Sequence, residues 1–133
     1  MALIKRFEDI EAWQMGRHLC KNICGVTNIG DFYRDYSLKD QIRRASGSIM
    51  DNIAEGFGRD GNREFIQYLS CSKGSANEVQ SQLYRALDYQ YITPETFNEL
   101  YLEADHIIGK ITNFMKYLAQ SENKGSKYPR RKT

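Results

Sequence analysis

Proline is scarce in this sequence. Only Pro94 and Pro129 occur among the 133 residues, and neither falls inside a stretch of helical periodicity. Because proline breaks the interior of a helix, this scarcity favours long helices. No apolar run approaches the roughly 20 residues that a membrane span needs, and residues Met1 to Arg6 lack the apolar core of a signal peptide. The sequence therefore predicts a cytoplasmic protein that does not bind membranes.

Cysteine is also scarce, and the number of cysteines is odd. The three residues Cys20, Cys24 and Cys71 argue against a disulfide framework. Cys20 and Cys24 are four residues apart and share one face of a helix, but neither His18 nor His106 completes a recognisable metal-ligand spacing. We therefore expect small buried thiols in a helix seam, with no bound metal and no cofactor.

The charge is distributed unevenly along the chain, although the net charge is only +2. From Gln120 onward there are five basic residues and one acidic residue, whereas the preceding residues contain 14 basic and 16 acidic ones. The sequence therefore predicts one domain over residues 1–119 and a basic, flexible tail over residues 120–133.

Four stretches of the sequence repeat apolar residues at the three-and-four spacing of an amphipathic helix. They cover about residues 8–27, 37–57, 62–90 and 93–119. Residues 28–36 contain Gly30 and two aspartates and are typical of a loop, in which Phe32, Tyr33 and Tyr36 could cover the core.

Capping patterns mark three helix starts. Ser37 with Asp40 resembles a short-armed capping box, and Asn62 is a preferred N-cap residue type. Thr93 followed by Pro94 is a strong start signal, because proline is favoured at the first helical position.

Short connectors join the last three helical stretches. Helices of more than 20 residues with such short connections pack as antiparallel neighbours, because each must bury its apolar stripe against the next. We therefore predict an all-α fold, an antiparallel up-down-up-down four-helix bundle.

A row of polar residues accompanies the apolar stripe of the second helix. Its spacing of three, four, four and three stacks the side chains along one face, and the third helix offers facing polar residues. This polar row comprises Gln41, Arg44, Ser48, Asn52 and Glu55 of the second helix with Ser75 and Glu78 of the third.

Three interpretations of the polar row remain open. It is a hydrogen-bonded seam in which Arg44 pairs with Glu55 or Glu78, a subunit interface, or an active site with Glu55 as the base. The last is least favoured, because no histidine, serine nucleophile or metal-ligand set stands at a compatible spacing. The sequence predicts no catalytic residues and no enzymatic activity.

Di-metal bundles share the predicted fold and need Glu-x-x-His motifs on two helices. Only Glu103 and His106 form this motif here. Glu103 also falls outside the apolar stripe of its helix, so we expect it to face water and predict no metal site.

Basic residues that could bind nucleic acid are spread over the domain and the tail. Arg59 and Arg63 bracket a glycine-rich turn, although the nearby acidic residues favour a solvated connector there. The tyrosines are expected to be scattered rather than gathered into a stacking platform. The candidates are Arg43, Arg59, Arg63, Lys73 and Arg85 in the domain and Lys124, Lys127, Arg130, Arg131 and Lys132 in the tail.

Four motifs give the chain a family resemblance: FEDIEAWQMG at 7–16, QIRRASGSIMDNIAEG at 41–56, FIQYLSCSKGSANEV at 65–79 and ALDYQYI at 86–92. They resemble a bacterial four-helix-bundle family whose founding members are encoded in intervening sequences of the 23S ribosomal RNA gene. That family is similar to the accessory variability determinant of diversity-generating retroelements, a pentameric basic bundle that binds nucleic acid. The resemblance implies an antiparallel bundle that assembles into a homo-oligomer, with a pentamer as the implied oligomeric state.

The resulting functional hypothesis is a non-enzymatic homo-oligomeric bundle protein that binds RNA or a ribonucleoprotein. The alternative is an assembly or accessory scaffold that binds no nucleic acid, since the predicted domain has two more acidic than basic residues. Neither hypothesis involves a small-molecule substrate.

Overall fold

The computed structural model describes residues 3–123, with side chains through Ser121. The tail candidates Lys124, Lys127, Arg130, Arg131 and Lys132 lie outside the described residues. Within them the chain is all-helical and contains no strand. One turn of 3-10 helix, Phe7–Asp9, precedes α1 (Glu11–Val26), α2 (Gly30–Arg34), α3 (Tyr36–Phe57), α4 (Asn62–Asp88) and α5 (Pro94–Asn123).

The four predicted long helices are confirmed, but the first begins later than predicted. Ile10 has an extended backbone that separates the 3-10 turn from α1. The Asp9 carboxylate closes that turn by accepting from the backbone N–H groups of Lys5 and Arg6 at 3.0 and 3.2 Å. The Phe7 ring then packs edge-on against Trp13, with 5.1 Å between ring centroids.

The predicted loop at residues 28–36 contains the short helix α2. It begins at Gly30, whose φ of +59° suits glycine. Phe32 explains why this segment is ordered on the bundle, because its side chain is fully buried and stacks on Tyr91 at 5.2 Å. Tyr33 and Tyr36 are exposed. The Lys39 ammonium lies 4.0 and 4.6 Å from their ring centroids, so the two rings contact a lysine rather than cover the apolar core.

Two of the three predicted caps are wrong. Asp35, not Ser37, caps α3 by accepting from the Leu38 backbone N–H at 3.0 Å, and the Tyr91 hydroxyl donates to its other oxygen at 2.8 Å. Gly61 precedes α4 with a φ of +87°, which a residue with a side chain adopts only with strain.

Asn62 is instead the first residue of α4, and its side chain donates to the carbonyl of Leu118 at 3.2 Å. The Thr93 cap is confirmed, since its hydroxyl accepts from the Thr96 backbone N–H at 3.1 Å. The predicted caps failed where a tertiary partner or a left-handed glycine decided the helix end.

The long helices contact one another in a closed order. α1 packs on α3, α3 on α4, α4 on α5 and α5 on α1, and α3–α4 is the most extensive of these contacts. The apolar stripes fill the space between them, and their central residues are fully buried: Leu19, Ile23, Ile42, Ile49, Ile53, Leu69, Val79, Leu83, Ile107 and Ile111. No helix in residues 3–123 is both long and apolar enough to span a bilayer.

Candidate functional site

The polar row lies along the outer edge of the α3–α4 contact rather than in the interior. Gln41, Ser48, Asn52 and Ser75 are half-buried, whereas Arg44, Glu55 and Glu78 are exposed. Part of the row therefore contributes to the contact between α3 and α4, and the charged residues lie on the protein surface.

A hydrogen-bonded cluster forms the middle of the row. The Asn52 amide donates to both the carbonyl and the hydroxyl of Ser48 at 2.8 Å, and the Ser75 hydroxyl donates across the helices to the Ser48 hydroxyl at 3.0 Å. Just beneath it, the buried Ser72 hydroxyl donates to the backbone carbonyl of Ile49 at 2.6 Å. Such short side chains bring two helix backbones close together.

The predicted pairing of Arg44 is wrong. Glu55 pairs instead with Arg59 at 3.0 Å, and the same guanidinium donates to the Tyr68 hydroxyl at 2.7 Å. Arg44 makes no ion pair within residues 3–121, although it lies one turn from Ser48 and thus level with Glu78 across the seam. The row therefore presents an exposed arginine and an exposed glutamate that do not neutralise each other.

Gln82 extends the row and was missed by the sequence analysis. Its side chain is only 4% exposed, its amide nitrogen donates to Glu78 at 3.4 Å, and its buried carbonyl oxygen has no hydrogen-bond partner. Continuing the spacing of Ser75 and Glu78 by four and three residues would have reached Gln82 and Arg85.

Two helical glycines flank the row without a reason inside the chain. An added Cβ at Gly47 of α3 or at Gly74 of α4 would meet no atom within 4 Å. Each glycine costs a helix about 1 kcal/mol relative to alanine. Gly56, in contrast, has a clear reason, because its Cβ would lie 2.6 Å from that of Tyr68.

The predicted nucleic-acid residues do not form one patch. Arg43 is bound at the end of α1, donating to the Thr27 hydroxyl at 2.8 Å and to the Cys24 carbonyl at 3.5 Å, so its charge stabilises that helix terminus. Arg85 donates to Gln41 at 3.4 Å, near the last turn of α4.

Arg59 is held by Tyr68 and Glu55, and these two groups, Tyr68 foremost, raise the pKa of its guanidinium. Arg63 is exposed and Lys73 is half-buried. Arg63 lies in the first turn of α4 and Arg85 in its last turn, so the length of the helix separates them.

The expectation of scattered tyrosines is partly wrong. Tyr84, Phe97 and Tyr101 form a three-ring cluster between α4 and α5, with ring centroids 4.8 to 5.9 Å apart. Phe97 is almost completely buried, but Tyr84 is 51% exposed. The cluster adjoins the acidic start of α5, which disfavours phosphate.

The cysteines are also less buried than predicted. Cys24 and Cys71 are exposed, Cys20 is half-buried, and all three are free thiols.

Glu103 does not face water, contrary to the sequence analysis. It bridges α5 to α1, accepting from the Asn22 amide at 2.9 and 3.2 Å and lying 3.0 Å from Nδ1 of His18. One turn further along α5, His106 lines the same cleft of about 290 Å³, together with Glu11 and Met15.

A second, open groove of about 760 Å³ lies between the amino-terminal segment and α5. Its lining includes Ile4, Ile10, Phe114 and Tyr117, with the Glu11–Lys110 ion pair at its rim. This apolar lining contains no nucleophile paired with a base.

The comparisons with known proteins agree with this architecture. Residues 8–113 match the model of the family described as 23S rRNA-intervening sequence protein. No curated protein matches the chain. Among solved structures, the chain is similar to a protein of unknown function from the S23 ribosomal protein family of Bacteroides thetaiotaomicron VPI-5482, with a TM-score of 0.72 and 20% identity over 79% of this chain and 98% of that one. The structural likeness shows a shared fold, and the match over most of the sequence shows that the chain belongs to the 23S rRNA-intervening sequence protein family.

Proposed function

We propose that this protein is a non-enzymatic, self-assembling four-helix bundle whose copies associate through the outer face of α3 and α4. In this proposal the bundle is antiparallel, up-down-up-down. The contacts Ser48–Ser75 and Gly56–Phe65 support that topology for α3 and α4, and Glu11–Lys110 and His18–Glu103 support it for α1 and α5, because in both pairs the residue numbers run in opposite directions. The free thiols fit a reducing, cytoplasmic location.

The observation that carries the assembly is the combination of open glycines and unneutralised charges on one face. Gly47 and Gly74 leave room for another helix to approach closely, as small residues do at helix interfaces. A single open glycine would carry little weight, since Gly25 of α1 and Gly109 of α5 are equally open. On α3 and α4, however, two such glycines flank Arg44 and Glu78, so a second copy can supply each charge with its partner.

A face that meets its own copy closes a dimer, whereas a face that meets a different surface of the next copy closes a ring. Of these, a pentameric ring is the form that the resemblance to the retroelement accessory determinant implies.

Light scattering coupled to gel filtration tests the assembly. We expect the wild type to elute at a multiple of its 15.5 kDa chain mass. Gly74→Arg should shift it to the single-chain mass, whereas Gly109→Arg, the same change at an equally open helical glycine, should leave the assembly intact.

Charge reversal at Arg44 and Glu78 provides a second test of the interface. Arg44→Glu should weaken the assembly, and adding Glu78→Arg should restore it. A wild type that is monomeric at about 100 µM, or assemblies that survive Gly74→Arg, would contradict the proposed interface.

RNA binding is the second candidate, and it is favoured by the exposure of Arg63 beside the glycine-rich turn. It would draw on the basic residues of the tail for most of its charge. Titration of labelled RNA hairpins at two salt concentrations tests it, because phosphate contacts make affinity fall with salt. Binding that is absent at low salt, or unchanged when Arg63 and the five basic tail residues are replaced by glutamine, would leave assembly as the only candidate.

A further inference from the structure

The open groove between the amino-terminal segment and α5 is lined by apolar side chains from both. Ile4 and Ile10 are buried, and Phe114 and Tyr117 of α5 are half-buried rings that stack with 6.4 Å between their centroids. Leu3 also lines the groove and is 57% exposed. The volume of about 760 Å³ is in the range of sites that hold a ligand. Because apolar surface is unfavourable in water, an occupant of this groove would stabilise the protein.

The groove follows one face of the last part of α5, toward the end where the chain leaves the helix. α5 ends at Asn123, and residues 124–133 follow it. At about 1.5 Å per residue, Phe114 lies roughly 14 Å and Lys110 roughly 20 Å from Asn123 along the helix axis. Ten extended residues span about 33 Å. Residues 124–133 are therefore long enough to cover the whole groove if they turn back along α5.

The sequence of residues 124–133 is suited to turning back. Gly125 is the second residue after α5, the position at which glycine commonly ends a helix in the left-handed conformation and redirects the chain. The apolar residues of the segment, Tyr128 and Pro129, follow soon after. Five residues beyond Asn123, Tyr128 can extend up to about 17 Å, which brings it level with Phe114.

The groove also carries carboxylates for the basic residues 130–132. Glu11 remains 64% exposed although it pairs with Lys110 at 2.9 Å. Asp9 lines the groove too and uses a single oxygen, Oδ2, for both of its backbone donors. Because Lys5 and Lys110 line the same groove, apolar contact supplies the attraction, and the carboxylates set the direction in which the segment runs.

We propose that the groove holds residues 124–133 of the same chain, folded back along α5. Tyr128 is the anchor, packed against the rings of Phe114 and Tyr117. The segment that the sequence analysis expects to be a flexible tail is then held on the bundle, and it ties the two ends of the chain together.

The rate of disulfide closure in the full chain, with the three native cysteines changed to serine, tests this docking. The pair Asn113→Cys/Arg130→Cys places one thiol in the groove and one beside Tyr128. The control pair Arg63→Cys/Arg130→Cys places the first thiol at the start of α4, where Asn62 donates to the Leu118 carbonyl, so an undocked segment reaches both positions. With oxidised glutathione, we expect the groove pair to close within one chain roughly tenfold faster than the control pair, because burial of an aromatic anchor favours the docked state by about that factor.

The anchor is tested in the groove pair. Tyr128→Ala should slow closure to the rate of the control pair, whereas Tyr128→Phe should keep it fast, because the ring rather than the hydroxyl is the anchor. A thiol in the first turn of a helix is the more reactive, so the position of the control thiol works against the expected result. Circular dichroism confirms that each variant is folded.

Three outcomes would overturn the proposal. Equal closure rates for the two pairs would show that the segment does not occupy the groove. Disulfides that join two chains, seen at the dimer mass on a non-reducing gel, would assign the groove to the segment of a second copy. Fast closure that persists in Tyr128→Ala would remove Tyr128 as the anchor.

Discussion

The α3–α4 and α1–α5 pairs of the same molecule are joined in different ways. Between α3 and α4, Gly56 lies beneath Phe65 and Tyr68, and serine hydroxyls reach directly from one helix to the other. Between α1 and α5, long side chains such as Glu103 and Lys110 span a cleft. The α3–α4 contact depends on close packing and has no room for an added atom at Gly56. The α1–α5 contact depends on long polar side chains and leaves an open cleft.

Replacing Gly56 with alanine should have the largest effect. Its Cβ would lie 2.6 Å from Cβ of Tyr68 and 2.8 Å from Cδ1 of Phe65, and overpacking of this kind costs about 1–3 kcal/mol. We expect urea denaturation to show a loss of about 2 kcal/mol, even though alanine favours a helix. The matched control is Gly109→Ala, which meets nothing within 4 Å and should gain up to about 1 kcal/mol. Similar stabilities for the two variants would mean that close packing does not distinguish these sites.

Replacing Asp35 with alanine should have the next largest effect, because this residue ties the start of α3 to the chain after α4. The variant loses the helix cap to Leu38 and the bond from Tyr91, and loss of a cap costs about 0.5–2 kcal/mol. Tyr91→Phe removes only the second contact, so it should cost less than Asp35→Ala in the same denaturation experiment. An equal cost would assign the whole effect to Tyr91.

The same residues predict a pH dependence. The N–H of Leu38, then the hydroxyl of Tyr91, hold the pKa of Asp35 below its ordinary value of 3.8. The carboxylate therefore stabilises the fold fully above that pH, and this contribution is lost as the pH falls through the lowered pKa. The stability difference between wild type and Asp35→Asn should accordingly shrink in acid.

At the alkaline end, the Asp35 contact raises the pKa of Tyr91 above its ordinary value of 10.0. The contribution of the Tyr91 hydroxyl is complete below that pH and disappears as the pH rises through the raised pKa. Tyr91→Phe should therefore lose its disadvantage in strong base, and a constant difference across both ranges would contradict the assignment.

Glu103→Gln should have the smallest effect on stability. The His18 side chain is 68% exposed, and ion pairs of exposed groups contribute about 0.2–1 kcal/mol. We expect a change below about 1 kcal/mol, measured by thermal or urea unfolding. A loss as large as that of Gly56→Ala would show that α1 and α5 also depend on a tightly determined contact.

The sequence predicted the α3–α4 pair better than the α1–α5 pair. Periodicity reports which residues face the core, and the apolar stripes that it predicted are buried, as at Ile49 and Val79. It also indicated the row that contains Ser48 and Ser75, because side chains that repeat with the helix remain on one face. Periodicity carries no information about how two distant helices are set in register.

The residues that the sequence analysis missed depend on such register or on tertiary partners. Glu103 was expected in water because only its own helix was considered, whereas its partners lie on α1. The cap from Asp35 to Leu38 is local and could have been predicted, but the bond that holds the Asp35 carboxylate comes from Tyr91, 56 residues away. The expected ion pair of Arg44 with Glu55 or Glu78 is absent for a different reason. Side chains that lie along the same row need not be in contact.

Trp13 makes the difference between the two pairs observable. It is the sole tryptophan of the chain, it lies in α1 against Phe7, and the Arg17 guanidinium stands 6.0 Å from its ring. Its fluorescence emission therefore reports on the first helix alone, while the far-ultraviolet signal averages over all of them. Comparing the fluorescence and far-ultraviolet signals during unfolding shows whether α1 detaches before the other helices unfold, with no dye or label added.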